Sequence, residues 1–510
     1  MVSSVFKNAR ARARNEAGGV AYARSAEAAL AQLVVTGCFN DTFYASAETQ
    51  LDEVLDLARR VEPRFLAQAA VYGRETARMK DAPALLAAVL ATRDVALLGE
   101  VFDRVVDDAR MLRGWVQIVR SGVTGRRSLG SAPKRLAQDW LTARKPEQLF
   151  RQSVGSSPSL GDVIKLARPR PTSDTQRAMF GYLIDKDVDR EQLPDVVRAY
   201  ERFRREGGEM PDVPFGMLTC LELGPAEWTL IAERATWTQL RMNLNTFLRQ
   251  GVFEDKAVVK RLAARLRDPV RVRGARAYPY QLLAAYMAAS SELPRALRKA
   301  LHDAMEVAVE NVPALAGEVV VCPDVSGSMS SPVTGFRRGA TSKVRCVDVA
   351  GLMTAAVLRR NPDAEVLAFD TEVRDLRLEP RDTVMTNAQR LSEAWGGGTD
   401  CSAPLRDLNR RGQAPDVVIM VSDNESWVGG SPRGGDTNVM HEWRRLRGRN
   451  RAAKLVCIDI QPYTTTQAPS GNDVLNVGGF SDAVFDVVAR FTAASASADH
   501  WLDLVREVEI

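Results

Sequence analysis

The hydrophobic pattern of this 510-residue chain changes near residue 317. From about residue 15 to 310, apolar residues recur at a spacing of three to four, which is the period of amphipathic helices. Beyond that point, short runs rich in valine and isoleucine alternate with helical stretches, which is typical of a parallel, doubly wound sheet. The change predicts a helical domain with little strand over 1–316 and an α/β domain over 317–510.

The stretch 81–122 is an example of the helical pattern in the first part of the chain. Its apolar period breaks around Thr92–Asp94 and again at Gly122, which predicts two antiparallel helices of the size of one HEAT-like unit. Similar helices are predicted at 192–206, 226–250 and 281–307. Nearly 300 residues are too many for one bundle core, so stacked helix pairs are the favoured architecture, although no strict sequence repeat is present.

Hard-oxygen ligands follow the predicted strands of the second domain. In a parallel sheet, loops beyond the carboxyl ends of the strands form the ligand site. The candidates are Asp324, Ser326 and Ser328 in "PDVSGSMSS", Thr399 in "WGGGTDCS" and Asp423 in "VSDNES". Two carboxylates with three hydroxyls suit an octahedral Mg²⁺ ion that retains waters. The sequence therefore predicts a magnesium site with a position open to an anionic oxygen, or else a degenerate site whose side chains cap loops without metal.

For some residues next to the candidate metal ligands, the sequence allows two roles. Asp400 is either a further charge near the metal or the N-cap of the next helix. Trp395 and Trp427 border the same loops and either pack there or contact a ligand. Cys401 has no base beside it in the sequence, so we do not interpret it as a nucleophile.

The composition excludes several classes of protein. No stretch approaches the roughly 20 apolar residues of a membrane span, and the first residues lack the apolar segment of a secretory signal. The six cysteines are scattered, which predicts reduced thiols in a cytoplasmic protein, and three distant histidines argue against zinc. No nuclease cluster, P-loop or catalytic triad is found, which predicts a protein that is not an enzyme.

Motifs in both halves resemble a known family. The three ligand segments resemble the metal-ion-dependent adhesion site of von Willebrand factor A domains. Blocks of the helical half resemble the TROVE module, and "GGGTDCSAPL" with "VSDNESWVGG" resembles the metal-site loops of the Ro autoantigen family. The TROVE-like blocks are "RNEAGGVAY" (14–22), "LGSAPKRLAQDWL" (129–141), "SLGDVIKLARPRP" (159–171) and "RVRGARAYPYQLLAAY" (271–286).

The resemblance implies a ring of HEAT-like repeats whose ends are joined by the A domain, in a monomer. It implies binding of small noncoding Y-type RNAs on the outer rim and of single-stranded 3′ ends of misfolded RNAs in the central hole. An exonuclease such as polynucleotide phosphorylase is the implied partner in RNA quality control. Within the metal site, it implies direct coordination by Ser326 and Ser328, coordination by Thr399 in one of two states, and contacts through water for Asp324 and Asp423.

Candidate RNA contacts fall into two groups. An outer cationic stretch consists of Arg126, Arg127, Lys134 and Arg135, and the alternative for each is a solvated helix face. For the ring interior the candidates are Arg241, Asn243, Asn245, Arg273 and Arg276. Tyr278 or Tyr280 either stacks on bases or belongs to the core. Leu160 stands where the family pattern has a histidine, which removes one potential RNA contact.

A second hypothesis remains open. A helical half followed by a similar A domain also occurs in partners of AAA+ ATPases that act in cofactor insertion or complex remodelling. That reading predicts binding to an ATPase and no affinity for RNA. Cell-surface adhesion is disfavoured by the scattered cysteines and the absence of a signal segment.

Overall fold

The structure is a computed structural model in which residues 11–36, 39–155, 158–275, 277, 279–336, 342–394, 396–428, 436–479, 483–493 and 500–510 are described. Helices dominate the described residues before the first long strand. Within the described ranges no helix is both long and apolar enough to cross a bilayer. The predicted change from a helical half to an α/β half is confirmed.

The helices of the first half are short, with about three turns or fewer in most cases. They are α1 (Ala26–Thr36), α2 (Ala47–Arg60), α3 (Pro63–Glu75), α4 (Asp81–Arg93), α5 (Val95–Val105), α6 (Ala109–Ser121), α7 (Ser131–Ala143), α8 (Pro146–Arg151), α9 (Leu160–Ala167), α10 (Asp174–Leu183), α11 (Asp195–Glu206), α12 (Phe215–Leu218), α13 (Pro225–Arg234), α14 (Trp237–Met242), α15 (Leu244–Arg249), α16 (Lys256–Leu266), α17 (Pro269–Gly274), α18 (Pro279–Ala288) and α19 (Arg295–Ala308).

The prediction of two helices over 81–122 is wrong, because the segment contains α4, α5 and α6. The first break matches the prediction, since the Asp94 carboxylate accepts the N–H of Leu97 and caps α5. The predicted break at Gly122 also matches, because α6 ends at Ser121 and Gly122 is its C-cap. A further break, at Asp108, was missed. There the Asp108 carboxylate accepts the N–H of Met111 at 2.8 Å and starts a new helix.

Aromatic side chains join these helices into one core. Phe102 of α5 packs edge-to-face on Trp115 of α6, with ring centroids 4.8 Å apart. Trp140 of α7 is buried, and its indole N–H donates to the carbonyl of Val106 at 2.5 Å. Each helix therefore buries its apolar stripe against its neighbours, as expected for stacked helix pairs.

The strands of the described residues belong to two sheets. In chain order they are β1 (Ala13–Arg14), β2 (Val20–Ala23), β3 (Val319–Pro323), β4 (Glu365–Val366), β5 (Val417–Ser422), β6 (Lys454–Asp459), β7 (Thr465–Thr466) and β8 (Val474–Gly478). The helices between and after them are α20 (Cys346–Arg360), α21 (Val384–Glu393), α22 (Ala403–Arg411), α23 (Asn438–Arg447), α24 (Ala483–Ala493) and α25 (His500–Arg506).

The larger sheet has the strand order β4-β3-β5-β6-β8, and all neighbouring strands are parallel. Strands β3 and β5 are buried along their whole length, which explains their uninterrupted apolar sequence. The register places Pro323 opposite Val421 and Ser422 opposite Asp459. The carboxyl ends of β3, β5 and β6 therefore meet at one edge.

The chain packs as two compact units. The first comprises residues 1–57, 240–245 and 259–505, and the second comprises 58–239, 246–258 and 506–510. Residues from both sides of position 317 thus belong to the first unit. In it, β1 and β2 form an antiparallel sheet with β7. The division into family domains at 316/317 stays a prediction.

Candidate metal centre and RNA-contacting residues

The predicted metal ligands lie in three loops that hydrogen bonds connect at the carboxyl edge of the larger sheet. Asp324 follows β3, and its backbone N–H donates to the carbonyl of Val421 on β5 at 2.9 Å. The N–H of Gly327 donates to the carbonyl of Gly397 at 3.0 Å, which joins the first loop to the second. The carbonyl of Thr399 accepts the N–H of Trp427 at 3.1 Å, which joins the second loop to the third.

Side chains of the first and third loops are in direct contact. Asp324 accepts the N–H of Ser326 on Oδ1 at 2.8 Å and the hydroxyl of Ser422 on Oδ2 at 2.5 Å. The hydroxyl oxygens of Ser326 and Ser328 lie 3.3 Å apart, and the Ser328 side chain favours the ionised form of the Asp423 carboxylate. Asp324, Ser326, Ser328, Thr399 and Asp423 are all buried. The structure thus brings Asp324, Ser326, Ser328 and Asp423 together, and backbone hydrogen bonds join the loop of Thr399 to the other two loops.

Burial makes this a costly place for negative charge. Desolvation, and then repulsion by Asp423, raises the pKa of Asp324 to about 7, although hydrogen bonds from Ser326 and Ser422 favour its ionised form. Burial likewise raises the pKa of Asp423, and it raises the pKa of the nearby Glu425 to about 8, with repulsion by Asp423 adding to the effect. Ionisation of these carboxylates therefore costs free energy unless a positive charge binds beside them.

The donor set fits a hard divalent cation. Two buried carboxylates with three hydroxyl oxygens are ligands that Mg²⁺ accepts, and a dication would offset the repulsion between Asp324 and Asp423. Cys401 adds nothing to such a set, because burial and the adjacent carboxylates raise the pKa of its thiol well above the ordinary value. This agrees with our reading that Cys401 is not a nucleophile.

The structure shows contacts for two residues near the site, Asp400 and Trp427, whose roles the sequence left open. The Asp400 carboxylate accepts the N–H and the hydroxyl of Ser402 at 3.0 and 2.6 Å and pairs with Arg406, so it organises the turn before α22. Trp427 is half-exposed, and its ring lies so close to Gly398 that a Cβ there would stand 2.8 Å from it. Trp395 lies outside the described residues.

Sequence reasoning missed a tyrosine beside the site. Tyr44 precedes α2, and its hydroxyl interacts with the Ser328 side chain. Its ring packs edge-to-face on Tyr463, with centroids 6.0 Å apart, and Tyr463 bonds Thr42 at 3.1 Å. Nothing in the residues around Tyr44 pointed to a contact with a loop almost 300 positions away.

The N-terminal hairpin supports the Asp423 loop, which gives the block 14–22 a structural role. The Asn15 amide donates to the carbonyl of Ser426 at 2.8 Å, and the N–H of Ala17 donates to the carboxylate of Glu425 at 3.1 Å. A Cβ on Gly19 would lie 2.0 Å from the Ser426 carbonyl oxygen. Only glycine permits this approach.

A buried ion pair also lies at the carboxyl edge of the sheet. Asp459, the last residue of β6, pairs with Arg24, and their side chains are 2% and 3% exposed. Burial raises the pKa of Asp459 to about 6, and Arg24 opposes that rise. A signal existed for Asp459, since it ends a strand as Asp324 and Asp423 nearly do, but its partner could not be inferred.

The outer cationic candidates lie on α7 and the loop before it. Arg127 and Arg135 are exposed, while Arg126 and Lys134 are partly buried. Within the described ranges none of the four forms an ion pair, and Arg126 donates to the carbonyl of Leu129 at 3.5 Å. Leu160, the departure from the family pattern, is fully buried.

The interior candidates differ in how far their side chains are exposed and already engaged in contacts within the protein. Arg241 is buried and donates to the carbonyl of Gln281, and Asn245 uses both ends of its amide, to the Ala288 carbonyl and the Ser290 N–H, at 2.8 Å each. Arg273 pairs with Glu310 at 2.5 Å in a half-exposed position. Asn243 is partly buried. Arg276 and Tyr278 lie outside the described residues.

Comparison with known proteins gives a consistent picture. Residues 318–492 match the family described as the Ro60 vWA domain. The chain is 25% identical to an "RNA-binding protein RO60" of Deinococcus radiodurans, with 94% of each protein covered. It is 23% identical to the "RNA-binding protein RO60" of Caenorhabditis elegans, over 68% of this chain and 56% of that protein.

A solved structure shares the fold. The crystal structure of the Deinococcus radiodurans Ro protein matches with a TM-score of 0.66 at 23% identity, and covers 92% of this chain and 100% of that one. The resemblance that the sequence motifs indicate is thus confirmed in sequence across nearly the whole chain and in fold.

Proposed function

We propose that this chain, a member of the Ro family, is a non-catalytic RNA-binding protein of RNA quality control. The observation that carries the proposal is the similarity to a protein named for RNA binding, which extends over 94% of both chains and so includes both halves. The exposed arginines of the α6–α7 region supply phosphate contacts without sequence preference.

The protein binds two classes of RNA in this proposal. Y-type noncoding RNA binds the outer surface of a helical ring, where Arg127 and Arg135 contact phosphates, aided by Arg126 and Lys134. Single-stranded 3′ ends of misfolded RNA enter the central hole. The protein acts there as a cytoplasmic monomer that delivers RNA to an exonuclease such as polynucleotide phosphorylase. Asn243, Asn245 and Arg273 are the described interior candidates that keep an accessible surface.

The A-like domain holds Mg²⁺ in this proposal. Ser326, Ser328 and Thr399 supply hydroxyl oxygens, and Asp324 and Asp423 supply the negative charge. The bound ion offers a Lewis-acidic position for a carboxylate of a protein partner. The chain's own contribution is to hold the hydroxyls in place through the buried carboxylates and to exclude bulk water from them.

A gel shift tests the RNA proposal and separates it from the ATPase-partner hypothesis. The probe is a structured RNA with a single-stranded 3′ tail, and the competitor is a blunt duplex. We expect binding that weakens as salt rises, because phosphate contacts release counterions, and poor competition by the blunt duplex. No binding at low salt, or equal competition, contradicts the proposal. Asp324→Ala should abolish Mg²⁺ binding and leave the affinity for tailed RNA within about twofold, because the loop of Asp324 belongs to the A-like domain.

A further inference from the structure

The second unit contains a cleft that the sequence did not indicate. It has a volume of about 840 Å³, and α11, α12, α13 and the loop 207–214 line most of it. Ligand sites of proteins usually have volumes of about 300–1,000 Å³. The cleft is therefore large enough for part of a polymer or for a small molecule.

Three arginines from three different helices line this cleft. They are Arg151 of α8, Arg202 of α11 and Arg234, the last residue of α13. Arg151 pairs with Asp212 at 3.1 Å, but that carboxylate is 97% exposed, so a phosphate can replace it at little cost. Within the described ranges neither Arg202 nor Arg234 forms an ion pair, and both are exposed. Glu209 is the other acidic residue of the lining, so the three arginines outnumber two carboxylates.

The remaining walls are apolar. Phe203, Met210, Leu218 and Ile231 are buried side chains of the lining, and Phe215 is partly exposed there. A surface that combines arginines with apolar walls matches a nucleotide of an unpaired strand, which has a charged phosphodiester and a flat apolar base. In a duplex the bases face one another and cannot reach such a wall.

We propose that this cleft binds a segment of single-stranded RNA, with its phosphates on Arg202 and Arg234 and an unstacked base against the apolar wall. The inference rests on the proposed function, since it assigns a place to the RNA. It adds a site for unpaired RNA that is distinct in sequence from both groups of candidate residues above. Arg151 joins the site when a phosphate displaces Asp212.

The test compares two double variants with equal loss of charge. Arg202→Gln with Arg234→Gln removes the cleft cations. Arg198→Gln with Arg205→Gln is the control, since both arginines lie on α11, pair with acidic residues and do not line the cleft. Fluorescence anisotropy with a labelled single-stranded RNA at several salt concentrations gives the affinity and its salt dependence.

We expect the cleft variant to lose at least about tenfold in affinity, and its salt slope to fall by about 1.4, because each single-strand phosphate contact contributes about 0.7. The control should stay within about twofold of the wild type. Equal losses in both variants, or an unchanged cleft variant, overturn the inference. A wild type that binds no RNA overturns the proposed function as well.

A second measurement does not depend on how the variants fold. Wild-type protein is crosslinked to a single strand that contains 4-thiouridine, and the crosslinked peptides are sequenced. Peptides from 199–239 support the cleft, whereas crosslinks confined to other segments contradict it. A blunt duplex that crosslinks to 199–239 as strongly as the single strand also contradicts it.

Discussion

The hydroxyl of Tyr44 interacts with the side chain of Ser328, which also acts on the Asp423 carboxylate and whose oxygen lies 3.3 Å from the Ser326 hydroxyl. A serine hydroxyl has one proton and two lone pairs. Ser328 favours the ionised forms of both Tyr44 and Asp423, so its single proton serves two acceptors. The contacts with Tyr44 and Asp423 together therefore influence the direction in which Ser328 presents its oxygen.

Tyr44→Phe should weaken Mg²⁺ binding by about tenfold, because loss of a partner that orients a ligand typically costs 10- to 100-fold in metal affinity. Calorimetric titration of Mg²⁺ measures the affinity, and Mn²⁺ in the same site gives a spectroscopic signal. Tyr463→Phe is the matched control, since Tyr463 bonds Thr42 at 3.1 Å instead of Ser328. Equal affinities for wild type and Tyr44→Phe would show that the tyrosine does not position the ligand.

The effect of Mg²⁺ on stability should increase with pH. In the folded metal-free chain the pKa of Asp324 is about 7 against an ordinary 3.8. A carboxyl group whose folded pKa is raised has no cost below its unfolded pKa and destabilises the fold increasingly as pH rises from about 4 to about 7. A cation requires the ionised carboxylate and offsets that cost.

Differential scanning calorimetry with and without Mg²⁺ measures this dependence. We expect a small increase in Tm near pH 5 and a larger one near pH 8. Asp324→Asn removes the titrating group, so its Tm should not respond to Mg²⁺ at either pH. An increase in Tm that is the same across this range for the wild type would contradict a buried, proton-linked metal ligand.

The edge of the sheet and the candidate metal ligands gathered there were predictable because the signals are local. An apolar run that ends in aspartate marks a strand end, and parallel strands bring such ends together. That is how Asp324 and Asp423 were found from separate loops. Asp459 shares the pattern, but its partner Arg24 lies more than 400 positions away, and no local signal connects the two.

The interior RNA candidates show why side-chain availability could not be predicted. Arg241 looks like a free cation in its own segment, yet it is buried and donates to the backbone of Gln281. Burial lowers the pKa of Arg241, because removing a charged guanidinium from water costs free energy. Asn245 likewise connects to residues 288 and 290. These contacts depend on tertiary packing, which the helical period does not encode.

The buried pair of Arg24 and Asp459 allows a stability prediction. Arg24→Gln should destabilise the fold by about 3–5 kcal/mol, because it leaves a buried carboxylate unpaired. Urea unfolding followed by circular dichroism measures the change. The double variant with Asp459→Asn should recover most of the loss, since neither charge then remains. A double variant as unstable as Arg24→Gln would indicate that lost packing, and not the orphaned charge, causes the effect.

The outer cationic stretch predicts a change in the salt dependence of RNA binding. Replacing Arg126, Arg127, Lys134 and Arg135 by glutamine should lower the slope of log affinity against log salt for a structured RNA by about 2 to 4, since each phosphate contact of a duplex contributes about 0.9. Filter binding over a range of salt concentrations measures it. Arg177→Gln with Arg198→Gln is the control, because both arginines are engaged in ion pairs with neighbouring carboxylates. A slope that stays at the wild-type value in the quadruple variant would place the structured RNA on another surface.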